Sequence, residues 1–245
     1  MTTPIIVIPA RRAHSNYAEV ARTIGIDIIA ARYPEGARLP GDAELTELFG
    51  VSRPVLRESI KTLVAKGLLS TRSRVGTVVR ERAMWNMFDP DVLAWHLDAG
   101  IDKRFLRDLA DIRLAVEPRA AALAAERRTD EDIALMRAAV ERMRDEAEGR
   151  SLARSSGWAE ADLSLHLAVA NASGNPFMRS IGAVIEAALR ASFVLSTPVD
   201  VLEYRISLAA HEQIVEAIAH RDSEAASAAM INVIFNGLRR HGAAN

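Results

Sequence analysis

The chemistry-bearing residues with the most regular spacing are Asp162 and His166, which lie four residues apart in a stretch with helical periodicity. Four residues correspond to about one helical turn, so both side chains project from the same face. A carboxylate and an imidazole in this arrangement can share a divalent metal ion. On spacing alone, a surface ion pair or a capped helix is the more common explanation. The pair is therefore a candidate metal site that needs further support.

A second pair of polar residues flanks the turn near Arg221. His211 precedes this turn by about ten residues and Asn232 follows it by about eleven. If the two segments form antiparallel helices, these positions come level with each other. We therefore expect Asn232 to face His211 across the last helix pair.

A third group of candidates is basic. Arg53, Arg57 and Lys61 recur every four residues and so share one face of a helix. Arginines on a helix often mark only a solvated face, but here a tight turn precedes the helix and an arginine-bearing hairpin follows it. A cationic helix of this size fits a DNA major groove. These features together predict DNA binding.

Capping residues predict the two helices of this segment. Asp42 suits the N-cap of a helix over residues 43–49, and Ser52 suits the N-cap of the basic helix. Gly50 supplies the permissive backbone between them. The apolar sides are expected at Leu45 and Leu48 in the first helix, and at Val55, Ile60, Leu63 and Val64 in the second.

A hairpin and an earlier helix complete the DNA-binding segment. Residues 68–71 and 77–79 flank a basic loop and predict a two-stranded wing. Upstream, residues 17–31 place apolar side chains at helical spacing, so this helix should pack behind the other two. The pattern predicts a winged helix-turn-helix of three helices and a small β-hairpin over residues 16–80, preceded by a flexible arm at 1–15.

The stretch LPGDAELTELFGVSRPVLRESIKTLVAKGLL resembles the GntR-type winged-helix signature, with Asp42 where glutamate is usual. GntR proteins are bacterial transcription regulators that respond to small molecules. The resemblance implies a homodimer that reads pseudo-palindromic operator DNA. The residues expected to contact DNA are Arg38, Ser52, Arg53, Arg57, Lys61, Arg72, Arg74 and Gly76.

Length and charge distribution are consistent with two domains in 245 residues. Residues 1–80 carry 12 Lys/Arg and 7 Asp/Glu, a net charge of +5, whereas residues 81–245 carry 19 and 25, a net charge of −6. A basic N-terminal third suits nucleic acid. The lack of cysteine excludes disulfides and thiolate metal ligands. No apolar run approaches the roughly 18 residues of a membrane span, so we expect a cytoplasmic protein without a membrane partner.

The rest of the chain is predicted to be helical. Residues 81–102 form a linker with a short helix, in which Val92, Leu93 and Trp95 should pack on the following domain. An all-α bundle is expected over residues 103–242. Capping and breaking residues place its helices near 103–128, 130–148, 152–173, 176–196, 200–219 and 223–241.

This helical region resembles the FCD effector domain of the FadR subfamily of GntR regulators. Residues 160–176 carry its E-x-D-x-x-F-H and N-P motif, residues 112–121 resemble its first long helix, and residues 211–214 resemble its H-x-x-I segment. In that family an organic-acid effector binds beside a divalent metal. The fold class implied is mostly α, with an N-terminal winged helix-turn-helix and a C-terminal FCD bundle.

The resemblance implies that Asp162, His166 and His211 hold the metal, which could be zinc, nickel or manganese. Asn232 stands where the family has a further histidine. Because asparagine is a weak neutral ligand, this substitution leaves two possibilities open. One is a three-residue metal site of lower affinity, and the other is a metal-free pocket in which these groups bind the effector directly.

Arg113 is the residue expected to meet an acidic effector, since a guanidinium grips a carboxylate with two hydrogen bonds. The alternative is an ion pair with Glu117, four residues further on. The full set of expected effector-binding residues is Arg113, Asp162, His166, His211 and Asn232.

Residues 85–95 and 112–118 resemble repressors of sugar-acid operons, which implies a galactonate-like aldonate that releases the protein from DNA. The same architecture could instead respond to lactate, pyruvate or a dicarboxylate.

Two other classes of protein share parts of this pattern. A metal-dependent hydrolase or lyase could use Asp162, His166 and His211 as ligands, but it would need a general base, and the sequence has no H-E-x-x-H or comparable motif. A constitutive architectural DNA-binding protein would explain the basic domain but not the acidic helical one. The sequence therefore favours a regulator without enzymatic activity.

Overall fold

A computed structural model describes residues 13–73, 75–100, 103–149, 154–195 and 201–240. Contacts divide the chain into two units, Met1–Gly100 and Ile101–Asn245. Within the described residues, no helix has both the length and the apolar character needed to cross a membrane. Most of the arm expected at residues 1–15 lies outside the described residues, and its last three residues belong to the first helix.

The described part of the N-terminal unit has the predicted winged helix-turn-helix architecture. Its strands are antiparallel, with Leu69 opposite Val79 and Arg72 opposite Gly76. The elements in chain order are α1 (Ala13–Ile29), α2 (Asp42–Phe49), α3 (Arg53–Ala65), β1 (Leu69–Arg72), β2 (Gly76–Val79), a 3-10 turn (Arg82–Met84) and α4 (Pro90–Ala99).

Helix α3 confirms the predicted buried stripe only in part, because Leu63 is buried as predicted but Leu56 and Ser59 form the rest of the buried face. Its buried residues are Leu56, Ser59 and Leu63, whereas Val55, Ile60 and Val64 are only half-buried. The apolar pattern could not predict this buried face, because Ser59 in its middle is polar. The Ser59 hydroxyl donates a hydrogen bond to the backbone oxygen of Tyr17 at 2.8 Å, so its O–H group has a partner inside the core.

Two of the predicted features of α2 are wrong. Its N-cap is Gly41, and Asp42 is the first helical residue, where its charge favours the helix N-terminus without a capping hydrogen bond. Leu45 is buried, but Leu48 is 65% exposed. Ser52 does occupy the N-cap position of α3, although its side chain makes no capping hydrogen bond.

Helix α4 belongs to the N-terminal unit, contrary to the prediction that its apolar residues pack on the following domain. Val92 and Trp95 join the same buried cluster as the core residues of α1 and α3. The Lys66 ammonium, at the end of α3, lies 2.7 Å from a carboxylate oxygen of Asp89 and 2.7 Å from one of Asp91. The periodicity identified the apolar residues correctly but could not identify their partner.

Replacing Gly25 with alanine is expected to destabilise the N-terminal unit by about 2–3 kcal/mol, the usual cost of overpacking. A Cβ atom at Gly25 would lie 2.3 Å from a ring carbon of Trp95, so α1 and α4 would have to separate. At Gly237, also helical, a Cβ would meet nothing within 4 Å. Gly237→Ala should therefore be neutral or stabilising by about 0.5–1 kcal/mol. Denaturant unfolding of both variants provides the comparison, and equal midpoints would contradict it.

The described part of the C-terminal unit is entirely helical, as predicted. The helix expected over residues 176–196 is interrupted at Ile181 and forms two helices. The expected positions at residues 152–153, 196, 200 and 241–242 lie outside the described residues. The elements are α5 (Lys103–Arg127), α6 (Asp130–Ala147), α7 (Arg154–Ala172), α8 (Pro176–Ser180), α9 (Gly182–Leu195), α10 (Val201–Ala219) and α11 (Ser223–Arg240).

Helix α7 packs against α5, α6 and α9, which explains how polar residues on it become buried. Trp158, Leu165 and Val169 contribute to the main apolar core of the unit. Asp162 and His166 occupy the adjacent helical positions and are also buried. Burial of a carboxylate and an imidazole is costly without partners, so their surroundings must provide them.

Candidate functional site

Asp162, His166 and His211 meet inside the helical unit. Asp162 and His166 lie on α7 and His211 lies on α10, and all three are buried. The Oδ1 atom of Asp162 is 3.5 Å from Nε2 of His166 and 2.7 Å from Nε2 of His211. Their potential ligand atoms all lie within 4.8 Å of one another. The structure thus joins the three residues in one buried cluster, which a surface ion pair would not form.

Backbone and side-chain acceptors orient both imidazoles. Nδ1 of His211 lies 2.6 Å from the backbone oxygen of Ser207, and Nδ1 of His166 is hydrogen-bonded to Glu117. In the neutral form of each ring, which is the form that binds a metal, Nδ1–H donates and the Nε2 lone pair faces Asp162. These Nε2 atoms and Oδ1 of Asp162 lie close to one another, but none of them has a hydrogen-bond partner of good geometry. Three buried ligand atoms that converge in this way could hold a metal ion.

The donor set of this cluster fits a divalent metal. Bonds of about 2.0–2.2 Å in tetrahedral geometry place neighbouring ligand atoms about 3.3–3.6 Å apart. The Asp162–His166 separation matches this spacing, and the Asp162–His211 separation would need to widen slightly. Two imidazoles and one carboxylate suit zinc, nickel or manganese.

Glu117 on α5 is part of this network, and sequence reasoning missed its role. Its Oε1 accepts a hydrogen bond from Nε of Arg113, and its Oε2 accepts one from His166. The Arg113–Glu117 pair was foreseen as a possible ion pair from its spacing. The contact with His166 was not foreseeable, because it depends on how α5 packs against α7.

Burial and charge act in opposite directions on the pKa values of these residues. Burial alone would raise the pKa of Glu117, but Arg113 and His166 outweigh it and lower this pKa to about 2. In the same way, His211 and His166 hold the pKa of Asp162 well below its usual range despite its burial. Burial alone would lower the pKa of His166, yet Glu117 and Asp162 raise it to about 9. Without a metal, His166 is therefore a cation between two carboxylates at neutral pH.

Raising the pH of the metal-free protein from 6.5 to 9 is expected to lower its stability by up to about 3 kcal/mol. The folded-state pKa of His166 is about 9, above the ordinary value of 6.5, so its stabilising charge is fully present below pH 6.5 and is lost as the pH rises through 9. Denaturant unfolding in chelator at the two pH values measures this effect.

Two histidine variants provide the controls for this pH dependence. His166→Gln should lose most of it, while His220→Gln should keep it because His220 is exposed. Stability that increased from pH 6.5 to 9 in the metal-free wild-type protein would contradict the assignment.

Asn232 does not face His211, so this prediction is wrong. Asn232 is exposed on α11, where its Oδ1 accepts a hydrogen bond from the side chain of Asn236 at 3.2 Å. The buried residues at this level of α11 are Met230, Val233 and Ile234. A count of residues from the turn does not fix the direction of a side chain, because each residue along a helix rotates it by about 100°.

Arg113 lies beside a small cavity between α5, α9 and α11. The side chain is buried, and its Nη2 atom has no hydrogen-bond partner. The cavity has a volume of about 20 Å³ and is lined by Leu106, Leu109, Ala110, Arg113, Ala188, Ile234, Gly237 and Leu238. A space of this size holds about one water molecule.

The basic residues of α3 form an exposed surface on the N-terminal unit. Arg53, Arg57 and Lys61 are all exposed, and the Lys61 ammonium lies 2.8 Å from Glu58. Ser52 is exposed at the start of the same helix. This arrangement leaves both arginines available to a duplex along one face of α3.

The wing is extended by the segment that carries Arg38. The backbone of Arg38 forms a bridge with Val78, and a Cβ atom at Gly76 would lie 2.8 Å from Nε of Arg38. Gly76 also has φ 100°, which favours glycine. The exposed Arg38 side chain therefore lies across the wing close to the exposed Arg72. The predicted contact Arg74 lies outside the described residues.

Comparisons with known proteins identify both units. The profile of bacterial regulatory proteins of the gntR family matches residues 16–79, and the FCD domain profile matches residues 108–236. The chain belongs to the GntR family. Its C-terminal unit is an FCD domain, as in the FadR-like subfamily.

Individual relatives of this GntR regulator agree with the profiles. The galactonate operon transcriptional repressor of Escherichia coli K12 is 34% identical over 218 residues, which cover 89% of this chain and 93% of that protein. The Uxu operon transcriptional regulator of the same organism is 32% identical over 245 residues, with coverages of 94% and 88%. The solved structure of Lar from Listeria monocytogenes has a TM-score of 0.65 at 19% identity, with coverages of 95% and 99%, and shows the same fold.

Family membership decides between the classes of function considered from the sequence. GntR proteins with an FCD domain are DNA-binding transcription regulators that respond to a small-molecule effector, and they are not enzymes. FCD domains are often associated with a metal, and this one contains a triad that could hold it.

Proposed function

We propose that this GntR regulator represses a sugar-acid catabolic operon and leaves its operator when a small carboxylate binds the FCD domain. It acts in the cytoplasm as a homodimer, in which each winged unit reads one half of a pseudo-palindromic site. The similarity to the galactonate operon repressor over most of both chains supports a sugar acid as effector. An aldonate of the galactonate type is therefore the first candidate.

The observation that carries the effector proposal is the unpartnered Nη2 atom of Arg113. A buried donor without an acceptor costs about 1–3 kcal/mol. An effector carboxylate would remove this cost by accepting charge-assisted hydrogen bonds. The Nε atom can remain on Glu117 at the same time, because a guanidinium has five N–H donors.

The small volume beside Arg113 implies that effector binding changes helix packing. A sugar acid enters a space for one water molecule only if Leu106, Ile234 and Leu238 move apart. These residues lie on α5 and α11, so binding would shift those helices relative to each other. A difference in affinity of about 1.4 kcal/mol between the two arrangements is enough to change operator occupancy tenfold.

We propose that Asp162, His166 and His211 hold a divalent ion, either zinc, nickel or manganese. When bound, this ion supplies a positive charge that attracts effector oxygens. The protein residues orient the site: Ser207 and Glu117 fix the two imidazole rings so that their Nε2 atoms face inward. Asn232 is outside this ligand set because it is exposed.

The DNA contacts follow from the exposed basic surface of the winged unit. Arg53 and Arg57 would reach base edges or phosphates in the major groove. The wing would approach the minor groove. The remaining contacts proposed are Arg38, Ser52 and Lys61 to phosphates, and Arg72, Arg74 and Gly76 in the wing.

The test is thermal melting of the full-length protein with a panel of acids, before and after treatment with chelator. The panel contains galactonate, gluconate, lactate, pyruvate and a dicarboxylate. A ligand that binds only the folded state must raise the midpoint by mass action. We expect a rise with an aldonate that is lost in Arg113→Gln and retained in Arg190→Gln, a change at an exposed arginine on α9. No rise with any acid would overturn the proposed effector class.

The direction of regulation needs a separate measurement. Operator binding should weaken at saturating effector, as measured by fluorescence anisotropy of a labelled duplex. If operator affinity were unchanged at saturating effector, the release mechanism would be wrong, although the effector could still bind.

A further inference from the structure

Glu117 touches both of the residues that the two proposed ligands would use. One carboxylate oxygen accepts a hydrogen bond from Arg113, and the other accepts one from His166. We propose that Glu117 is a positioning residue that couples the metal site to the acidic effector. This inference rests on the proposed function, because it assumes that His166 binds a metal and that Arg113 binds a carboxylate.

On the metal side, Glu117 determines which nitrogen of His166 is available. Its Oε2 accepts a hydrogen bond from Nδ1–H of His166. In the metal-binding form of the ring, the Nε2 lone pair is therefore directed toward Asp162 and His211. A carboxylate in this position also raises the basicity of the imidazole, so Nε2 binds a metal ion more strongly. Outer partners of metal-bound histidines typically contribute a factor of ten to a hundred in metal affinity.

On the effector side, Glu117 fixes the plane of the Arg113 guanidinium. Because Nε is committed to Glu117, the terminal nitrogens can point only in a narrow range of directions, and Nη2 remains without a partner. An incoming carboxylate therefore meets a donor that is already oriented, which lowers the entropic cost of binding.

The proposed coupling between the metal and effector sites is electrostatic. Effector carboxylate, Arg113, Glu117 and the metal on His166 alternate in sign. The Arg113, Glu117 and His166 side chains are only 8%, 3% and 0% exposed, so solvent screens these interactions weakly. Occupation of either site thus alters the field that the other ligand meets, and the coupling must be reciprocal.

The first test measures zinc affinity of the full-length protein by competition with a chromophoric chelator. Glu117→Gln keeps the shape of the side chain but removes its charge, and should weaken zinc binding by about ten- to a hundredfold. Glu212→Gln is the matched control, because Glu212 is also an ion-paired carboxylate of this unit but pairs with Arg144. The control should stay within about twofold of the wild-type protein.

A histidine-specific readout separates positioning from a general effect on folding. In ¹⁵N-histidine spectra of the zinc-loaded wild-type protein, His166 should show a hydrogen-bonded Nδ1–H and a metal-bound Nε2. Glu117→Gln should shift the Nδ1 signal, whereas Glu212→Gln should not. Glu117→Asp keeps the charge but is one methylene shorter, so it serves as a second variant if Glu117→Gln does not fold. It should also shift the Nδ1 signal.

A double-mutant cycle tests the coupling without any effector. Arg113→Gln should change zinc affinity by at least about threefold in the wild-type background, although Arg113 is not among the ligands. The same substitution should have no further effect when Glu117 is already glutamine, because the connection is then absent. Equal effects of Arg113→Gln in both backgrounds would overturn the coupling.

The outcomes distinguish this inference from the function on which it rests. If the wild-type protein does not bind zinc, nickel or manganese, the metal proposal and this inference both fall. If the wild-type protein binds zinc and Glu117→Gln binds it equally well, only the role of Glu117 is wrong.

Discussion

Asp162→Asn is expected to weaken divalent-metal binding by more than about a hundredfold, a larger effect than loss of an outer partner of the ligands. The Oδ1 atom of Asp162 lies between both Nε2 atoms, at 3.5 Å from His166 and 2.7 Å from His211. Asparagine keeps the shape but offers only a weak neutral oxygen. Metal affinity measured by chelator competition, with zinc and nickel in turn, tests this expectation.

The same variant predicts how the protein responds to metal removal. At a free metal concentration of 100 times Kd, binding stabilises the folded state by about 2.7 kcal/mol, so chelator should lower the melting temperature of the wild-type protein. Asp162→Asn should melt at the same temperature with and without chelator. Glu160→Gln, an exposed change on the same helix, should respond as the wild-type protein does. A chelator response retained in Asp162→Asn would assign the metal to other residues.

Replacement of Arg53 and Arg57 together by alanine should weaken operator binding by at least about thirtyfold. Each base-reading arginine is worth about 1–3 kcal/mol, and both side chains are exposed on the face of α3 that would enter the groove. The duplex for this measurement is the site that the wild-type protein selects from a random pool. The salt dependence of binding should become shallower by about one unit per lost phosphate contact.

A control and a contrast sharpen the DNA result. Arg190→Ala removes an exposed arginine of α9 that pairs with Glu186, and it should leave operator affinity unchanged. If the α3 double variant bound as tightly as the wild-type protein, recognition would have to come from the wing or the residues ahead of α2. In that case Arg38→Ala would become the decisive variant.

The elements of the winged unit could be predicted from sequence because their signals are local. Gly50 ends α2 in the left-handed conformation, and the two strands flank a basic loop as expected. Burial was harder to predict. Ser59 is polar but fully buried, and Leu48 is apolar but exposed, because burial depends on which element lies opposite.

The candidate metal cluster could be predicted in part, because one of its residue pairs is also a local signal. Asp162 and His166 share one helix, so their spacing alone places them on one face, whereas His211 came from the resemblance to FCD domains. The failure at Asn232 shows the limit of counting residues between helices, since an error of one residue rotates a side chain away from the site. Glu117 was missed because its contact with His166 depends on the packing of α5 against α7.

The packing of α4 on α1 limits where the DNA-binding and effector domains of such regulators can be recombined. The GntR profile ends at residue 79, yet the core it describes continues into Val92 and Trp95, and the ring of Trp95 fills the space that Gly25 leaves open. A winged helix-turn-helix that is fused to another domain without α4 would expose an apolar surface on α1. A foreign α4 with a smaller side chain in place of Trp95 would leave the space beside Gly25 unfilled. A chimeric regulator should therefore inherit the winged helix-turn-helix and α4 as one module, with the junction after Gly100.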